Sequence, residues 1–325
     1  MDPVRKLSSI RGGVAVSPAG GEGMTEQPAR FYDTVKNHPI LGVVLVFAAA
    51  AGFSAKGVLV KIAYGFGMDP VTLLGLRMFF SLPFFVFMLI WFRGNGMGRM
   101  ELLAAGGLGF LGYYVGSFLD LLGLQYVSAG LERMILFLYP TIVVLLSALI
   151  YRKPIAQRQM LALLLSYGGI YLAFMHDASF NDKNIFLGGM LVLGNGLTFA
   201  CYLLGGDVII SRIGAAHFTA VAMIAACLAS MLQFLLLRPL NALSMPLKAY
   251  EVTLAMAIFS TVLPAIFLSA GIRRIGAERA ALVSAAGPVI TIILAYYLLG
   301  EPVSLLQIIG SILVLSGVLL NSLQN

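Results

Sequence analysis

Five ionisable residues stand inside long apolar stretches of this 325-residue chain: Lys56, Arg77, Asp120, Glu132 and Arg133. A charge at the centre of a membrane-spanning helix costs about 2.5–3.5 kcal/mol on insertion scales, so each of these needs a partner or a purpose. Two chemistries fit the mixed signs. The five can form a closed salt-bridge network that fixes helix packing or gates a mouth, or they can bind the charged end of a small molecule. Three cations and two anions leave a net charge of +1, which suits a carboxylate or another anionic group, while the mixed signs also suit a zwitterion. Arg77 and Arg133 are the stronger anion partners, because a guanidinium matches a carboxylate with two prongs. Asp120 and Glu132 are the candidate carriers of a coupling proton.

A second set of polar residues lies near the middle of the apolar stretches: Tyr113, Tyr114, Tyr139, Asn195, Tyr202, Ser260, Thr261 and Ser284. Each has an ordinary role in helix packing. Together they supply hydrogen-bond groups and aromatic walls at mid-membrane depth. The expected substrate-binding set is therefore Lys56, Arg77, Tyr113, Tyr114, Asp120, Glu132, Arg133, Tyr139, Asn195, Tyr202, Thr261 and Ser284. Pro83, Pro140, Pro264 and Pro288 also fall within apolar stretches. Each removes a backbone hydrogen bond and bends its helix, as a hinge or as a static kink.

The chemistry of enzymes and pumps finds no support. His38, His176 and His217 sit in connecting segments or at helix ends, and neither an HExxH pair nor a Walker A loop occurs. Cys201 and Cys227 lie in apolar runs, without disulfide or metal spacing. No cofactor and no metal are expected. The alternatives to transport are a membrane receptor or scaffold, and, with least support, an intramembrane enzyme.

These residues must be positioned by elements that suit a bilayer. Hydrophobic residues make up 60% of the chain and charged ones 11%, where a soluble domain carries about 25% charged. Ten apolar stretches occur, at 40–64, 71–92, 101–124, 128–151, 157–175, 186–210, 218–237, 250–272, 277–299 and 305–320. Most approach the ~20 residues that cross a hydrocarbon core. They are continuous rather than alternating, which favours helices over a barrel. The expectation is an all-α polytopic membrane protein with ten transmembrane helices. Residues 1–39, rich in Gly, Ser and Pro, read as a flexible cytoplasmic tail.

The net charge of +7 reports topology rather than a nucleic-acid partner. With the tail inside, fourteen Lys and Arg fall on the cytoplasmic side and four on the other. That asymmetry places both termini in the cytoplasm of a plasma (inner) membrane.

Displaced by 148 residues, the chain matches itself. Gly123, Ala129, Pro140, Pro154, Gln159 and Gly169 fall on Gly271, Ala277, Pro288, Pro302, Gln307 and Gly317. Each half holds five stretches, and an odd number makes the second half enter the membrane upside down. Pro140 and Pro288 become equivalent, which suggests a paired hinge. At the same displacement the five charged positions match Leu204, Ala225, Leu268, Ala280 and Ala281. None is charged, so the charge cluster is not a requirement of the shared scaffold.

The runs GLQYVSAGLERMILFLYPTIVVLLSALIYRKPI (123–155) and GIRRIGAERAALVSAAGPVITIILAYYLLGEPVSLLQIIGSILVLSGVLL (271–320) resemble the EamA-type repeat of the drug/metabolite transporter superfamily. The second copy keeps Gly300, Glu301 and Pro302, whereas the first has Arg152, Lys153 and Pro154. The resemblance implies two inverted five-helix repeats, at 40–175 and 186–322. It also implies small-molecule transport, often export, without a particular substrate; with the charged and polar residues above, the expectation is a secondary transporter of small polar metabolites such as amino acids or organic anions. The expected partners are a small-molecule substrate, membrane lipid and a proton as coupling ion.

Overall fold

A computed structural model describes residues 39–92, 98–151, 157–178, 184–284 and 286–322. The tail expected at 1–39 lies, apart from Pro39, outside the described residues. The described chain is all-helical, as apolar chain in lipid must be if every backbone N–H and C=O is to find a partner. Among the described residues seven helices are long and apolar enough to cross a membrane, and three shorter apolar helices complete ten.

In chain order the spans are Pro39–Gly65, Pro70–Trp91, Arg99–Gly123, a fourth in two pieces (Ala129–Leu136 and Tyr139–Tyr151) and Gln157–Ala178. The second set begins with Ile185–Ile213 and Ala215–Leu237. A long eighth element follows, built of Leu247–Ala257, a π-helical stretch Ile258–Val262 and Leu263–Ser284. Gly287–Leu299 and Leu305–Ser322 close the chain. The third span carries its own π-helical stretch, Phe110–Val115. The two π stretches start 148 residues apart, so they are the same feature in both copies.

One boundary differs from expectation. The first copy turns at 124–128, where Ser128 caps the next helix by accepting from the Leu131 amide. The matching 272–276 stay helical within Leu263–Ser284. The residue matching Ser128 is Gly276, which has no side-chain oxygen to cap a new helix start, so the eighth and ninth stretches part at Ala286 instead of at 273–276.

Packing between the copies is reciprocal. The first span packs on the eighth and ninth, and the sixth packs on the third and fourth. Second packs on seventh, and fifth on tenth. Such exchange is the mark of a two-fold relation. Its axis direction follows from antiparallel pairs of equivalent helices. Gly75 meets Phe234 while Met78 meets Cys227, and Ser166 meets Gly317 while Gly169 meets Gly310. Helices related by an axis in the membrane plane must run antiparallel, so the repeats are inverted.

Close glycine contacts also correct the register of the first helices. A methyl group on Gly123 would meet Val192 and the Gly188 carbonyl, and one on Gly271 would meet Val46 and the Gly42 carbonyl. Gly42 and Val46 therefore correspond to Gly188 and Val192, a displacement of 146. Lys56 then matches Tyr202 rather than Leu204, and the cluster's charge still has no counterpart.

Candidate functional site

A cavity of about 340 Å³ lies between the two repeats, walled by residues of seven of the ten spans; the ninth contributes none, nor do the fifth and tenth, which pair with each other. Both π stretches contribute, through Gly112 and Tyr113 in one copy and Ser260 and Thr261 in the other. A π stretch shifts the helix register by one residue and is common at functional sites. Here it turns polar side chains of otherwise apolar helices inward.

Of the twelve residues expected to bind substrate, eight line this cavity: Lys56, Arg77, Tyr113, Arg133, Tyr139, Asn195, Thr261 and Ser284. Asp120 and Glu132 do not line it. They stand behind Lys56, whose Nζ lies 2.5 Å from Asp120 Oδ2 and 3.8 Å from Glu132 Oε1. Both carboxylates are 1% exposed, against 17% for the Lys56 side chain. Close packing seats Glu132, because a methyl group on Gly57 would fall 2.9 Å from its Oε2. The five charges thus form one connected region, with cations toward the cavity and anions toward protein.

Arg77 is 3% exposed and its Nε has no hydrogen-bond partner among the described residues. The same holds for the Nε of Arg133. Arg133 lies over the Phe137 ring, 5.3 Å from its centroid, a cation–π contact. Its guanidinium also abuts Gly287, where an added methyl would stand 3.1 Å from the nearer nitrogen. Phe137 and Gly287 mark the breaks of the two equivalent fourth helices, so Arg133 bridges both. Pro140 and Pro288 are each the second residue after such a break. There a missing N–H costs nothing, since the first helical amides have no intrahelical acceptor. Ser54 donates to the Gly287 carbonyl at 2.9 Å, and Thr291 donates to the Ser54 carbonyl at 3.1 Å, which pins the second break to the first span.

Tyr202 and Tyr114 lie off the cavity wall. Tyr202 is buried among Tyr113, Phe199 and Phe218, at ring distances of 4.9, 5.9 and 5.1 Å, and so positions two wall residues. Tyr114 packs on Phe110. Sequence reasoning missed Phe53, Phe85, Phe137 and Phe199, which supply the apolar wall, and Ser117 and Thr219. The last two were findable as hydroxyls in apolar runs. The phenylalanines were not, since 21 occur in the chain.

At one end of the bundle ion pairs join the copies. Gly300, at φ +67°, closes the ninth span in a left-handed turn that favours glycine. Glu301 then reaches across to accept from the Ala129 amide at 3.2 Å and to pair with Lys61 at 3.4 Å. Asp69 caps the second span by accepting from the Val71 and Thr72 amides, and Arg238 Nε donates to it at 3.0 Å. Burial works against the Asp69 charge, but the hydrogen bonds from Thr72 and Arg238 outweigh it and hold the carboxyl below its usual range. A recess of about 520 Å³ opens beside Lys61, Tyr64 and Asp69 at this end. Among the described residues no cluster of three metal-ligating side chains occurs.

The chain matches the EamA-like transporter family twice, over residues 40–175 and 186–323. It is similar to the uncharacterized transporter YcbK of Bacillus subtilis, with 30% identity over 83% of this chain and 88% of that one. It also resembles the uncharacterized transporter sll1319 of Synechocystis, with 23% identity over 86% of this chain and 92% of that one. A solved crystal structure superposes with a TM-score of 0.60 at 16% identity, covering 87% of this chain and 96% of the other, a likeness of fold alone.

Proposed function

The chain belongs to the EamA-like transporter family, and on that premise we propose that it is a secondary active transporter of small polar metabolites, working by alternating access. As a family member it is a multi-pass membrane transporter of a small molecule, not an enzyme. One observation carries the finer reading: a central cavity between inverted repeats holds Lys56, Arg77 and Arg133. An in-plane two-fold relation lets the arrangement at one end of the bundle be adopted at the other, which is the geometric basis of alternating access. The ion pairs Lys61–Glu301 and Asp69–Arg238 close one end and must part for that end to open. The breaks before Pro140 and Pro288 act as the paired hinge. Asp120 and Glu132, held on Lys56, are the carriers of a coupling proton. The direction is export from the cytoplasm, with both termini on the cytoplasmic side of the plasma membrane.

Counterflow of labelled metabolites in proteoliposomes tests the reading. Arg133→Ala should abolish exchange while the yield of folded protein is largely retained. A variant whose yield collapses while the surviving protein exchanges normally would make the cluster structural, and a wild-type protein inert toward a broad metabolite panel would remove the transport proposal.

A further inference from the structure

We propose that the cavity selects organic monoanions with an apolar or aromatic body, carboxylates that lack an α-ammonium group, and that Arg77 and Arg133 receive the carboxylate. The inference rests on the transporter reading and deepens it. Its basis is where the charges of the cluster point. Lys56, Arg77 and Arg133 all line the cavity, whereas Asp120 and Glu132 do not. Both acids lie within 4 Å of Lys56, the cation they contact directly. Among the described residues no carboxylate comes within salt-bridge distance of either guanidinium, and each retains a buried Nε without a hydrogen-bond partner. A buried cation without an anion is costly. Arg77, buried, and Arg133, half-buried, face one cavity without a contacting carboxylate among the described residues and so form a receptor for an anion brought in from outside.

The same arrangement disfavours a zwitterion. A substrate ammonium would meet three cations, and among the described wall residues no carboxylate would receive it. The neutral oxygens of Tyr113, Asn195 and Ser260 cannot balance that repulsion in a site of low dielectric. The body of the ligand has a defined place, since Phe53, Phe85, Phe137 and Phe199 supply aromatic wall and Phe199 is held edge-on by Tyr139 at 5.3 Å. The cluster's net charge of +1 is cancelled by one carboxylate, so a monoanion leaves the occupied cavity neutral.

Three ligands that share a phenylethyl body separate the possibilities: 3-phenylpropionate, phenylalanine and phenethylamine, titrated calorimetrically into purified protein in detergent. The expected order is 3-phenylpropionate at least tenfold tighter than phenylalanine, with phenethylamine unbound. Arg77→Gln and Arg133→Gln should each weaken 3-phenylpropionate at least tenfold, and Arg133→Lys should recover part of that loss by restoring the charge. Should a variant fail to fold, the wild-type order alone decides. Equal or tighter binding of phenylalanine, any binding of phenethylamine, or no binding of 3-phenylpropionate at millimolar concentration overturns the proposal. Counterflow of the same compounds separates the two levels of the argument. Exchange of phenylalanine but not of 3-phenylpropionate keeps the transporter and removes the anion selectivity. Binding of 3-phenylpropionate without exchange of any compound keeps the selectivity and removes the transporter.

Discussion

Replacing Lys56 with methionine tests the central electrostatic claim. The substitution keeps most of the length and the apolar stem of the side chain and deletes one charge. Among the described residues Lys56 is the only cation within 4 Å of Asp120 and Glu132, and both carboxylates are 1% exposed. Asp120 Oδ1 and Glu132 Oε1 already lack hydrogen-bond partners, so no donor in contact with them replaces the lost ammonium. Removing one member of a buried pair costs about 3–5 kcal/mol, because the other charge is stranded. Asp120→Asn should cost less, about 1.5–3 kcal/mol for a lost charged hydrogen bond, because Glu132 remains 3.8 Å away to balance Lys56. The double variant strands a single carboxylate. It should therefore be less destabilised than the sum of the singles, by about 1–3 kcal/mol. Reversible unfolding in mixed micelles, run on the wild type, both singles and the double, reads all four values. A Lys56→Met cost below about 0.5 kcal/mol, typical of an exposed position, or additivity within about 0.5 kcal/mol, would refute the buried network.

Gly109→Ala should destabilise by about 1–3 kcal/mol as an overpacked contact, since the new methyl would fall 2.2 Å from the Ala222 carbonyl oxygen; Gly107→Ala, with nothing within 4 Å, should be neutral or gain up to about 1 kcal/mol, and equal effects in the same unfolding assay would contradict the helix crossing. Asp69, held below its usual range by Thr72 and Arg238 against the opposing effect of burial, lends stability that is present above the ordinary carboxylate value of about 3.9 and is lost as pH falls through the lower folded value. The stability gap between wild type and Arg238→Ala should therefore be small, salt-sensitive and narrower at pH 3 than at pH 6, and a gap that widens with acid would show the pair misassigned. In a Cys201→Ala background, Met78→Cys should link to native Cys227 through a short dithiol reagent, as Met78 Sδ and Cys227 Sγ lie 3.8 Å apart; absence of the link counts against antiparallel pairing of the second and seventh spans. Asn241→Cys, with both native cysteines replaced, should react with an impermeant maleimide on intact cells, and reaction only after lysis would reverse the proposed orientation.

Much of this protein is legible along the chain because a bilayer constrains it so severely. Lipid offers no hydrogen bonds, so apolar runs have to be helices, and the ten runs and their 148-residue repeat carry the architecture in one dimension. Five spans per copy make inversion a matter of counting. The charge cluster was readable for the same reason: where almost every neighbour is apolar, Lys56, Arg77, Asp120, Glu132 and Arg133 stand out as groups that must find one another.

Tertiary structure decided what composition and spacing do not encode. Which way each charge faces depends on helix rotation, and rotation is set by contacts between distant residues, such as Gly57 against Glu132 and Gly123 against Val192. Those contacts put Asp120 and Glu132 behind Lys56 and left Arg77 and Arg133 facing the cavity. The π stretches changed the helical register in mid-span, so a 3.6-residue period could not say which of Tyr113, Tyr114, Ser260 and Thr261 face inward. Phe53, Phe85, Phe137 and Phe199 are chemically the same as the phenylalanines that meet lipid, and only packing separates them. The two-residue shift that aligns Lys56 with Tyr202 has the same origin. Sequence periodicity records how far apart residues are along the chain, whereas the site depends on which faces the helices turn toward one another.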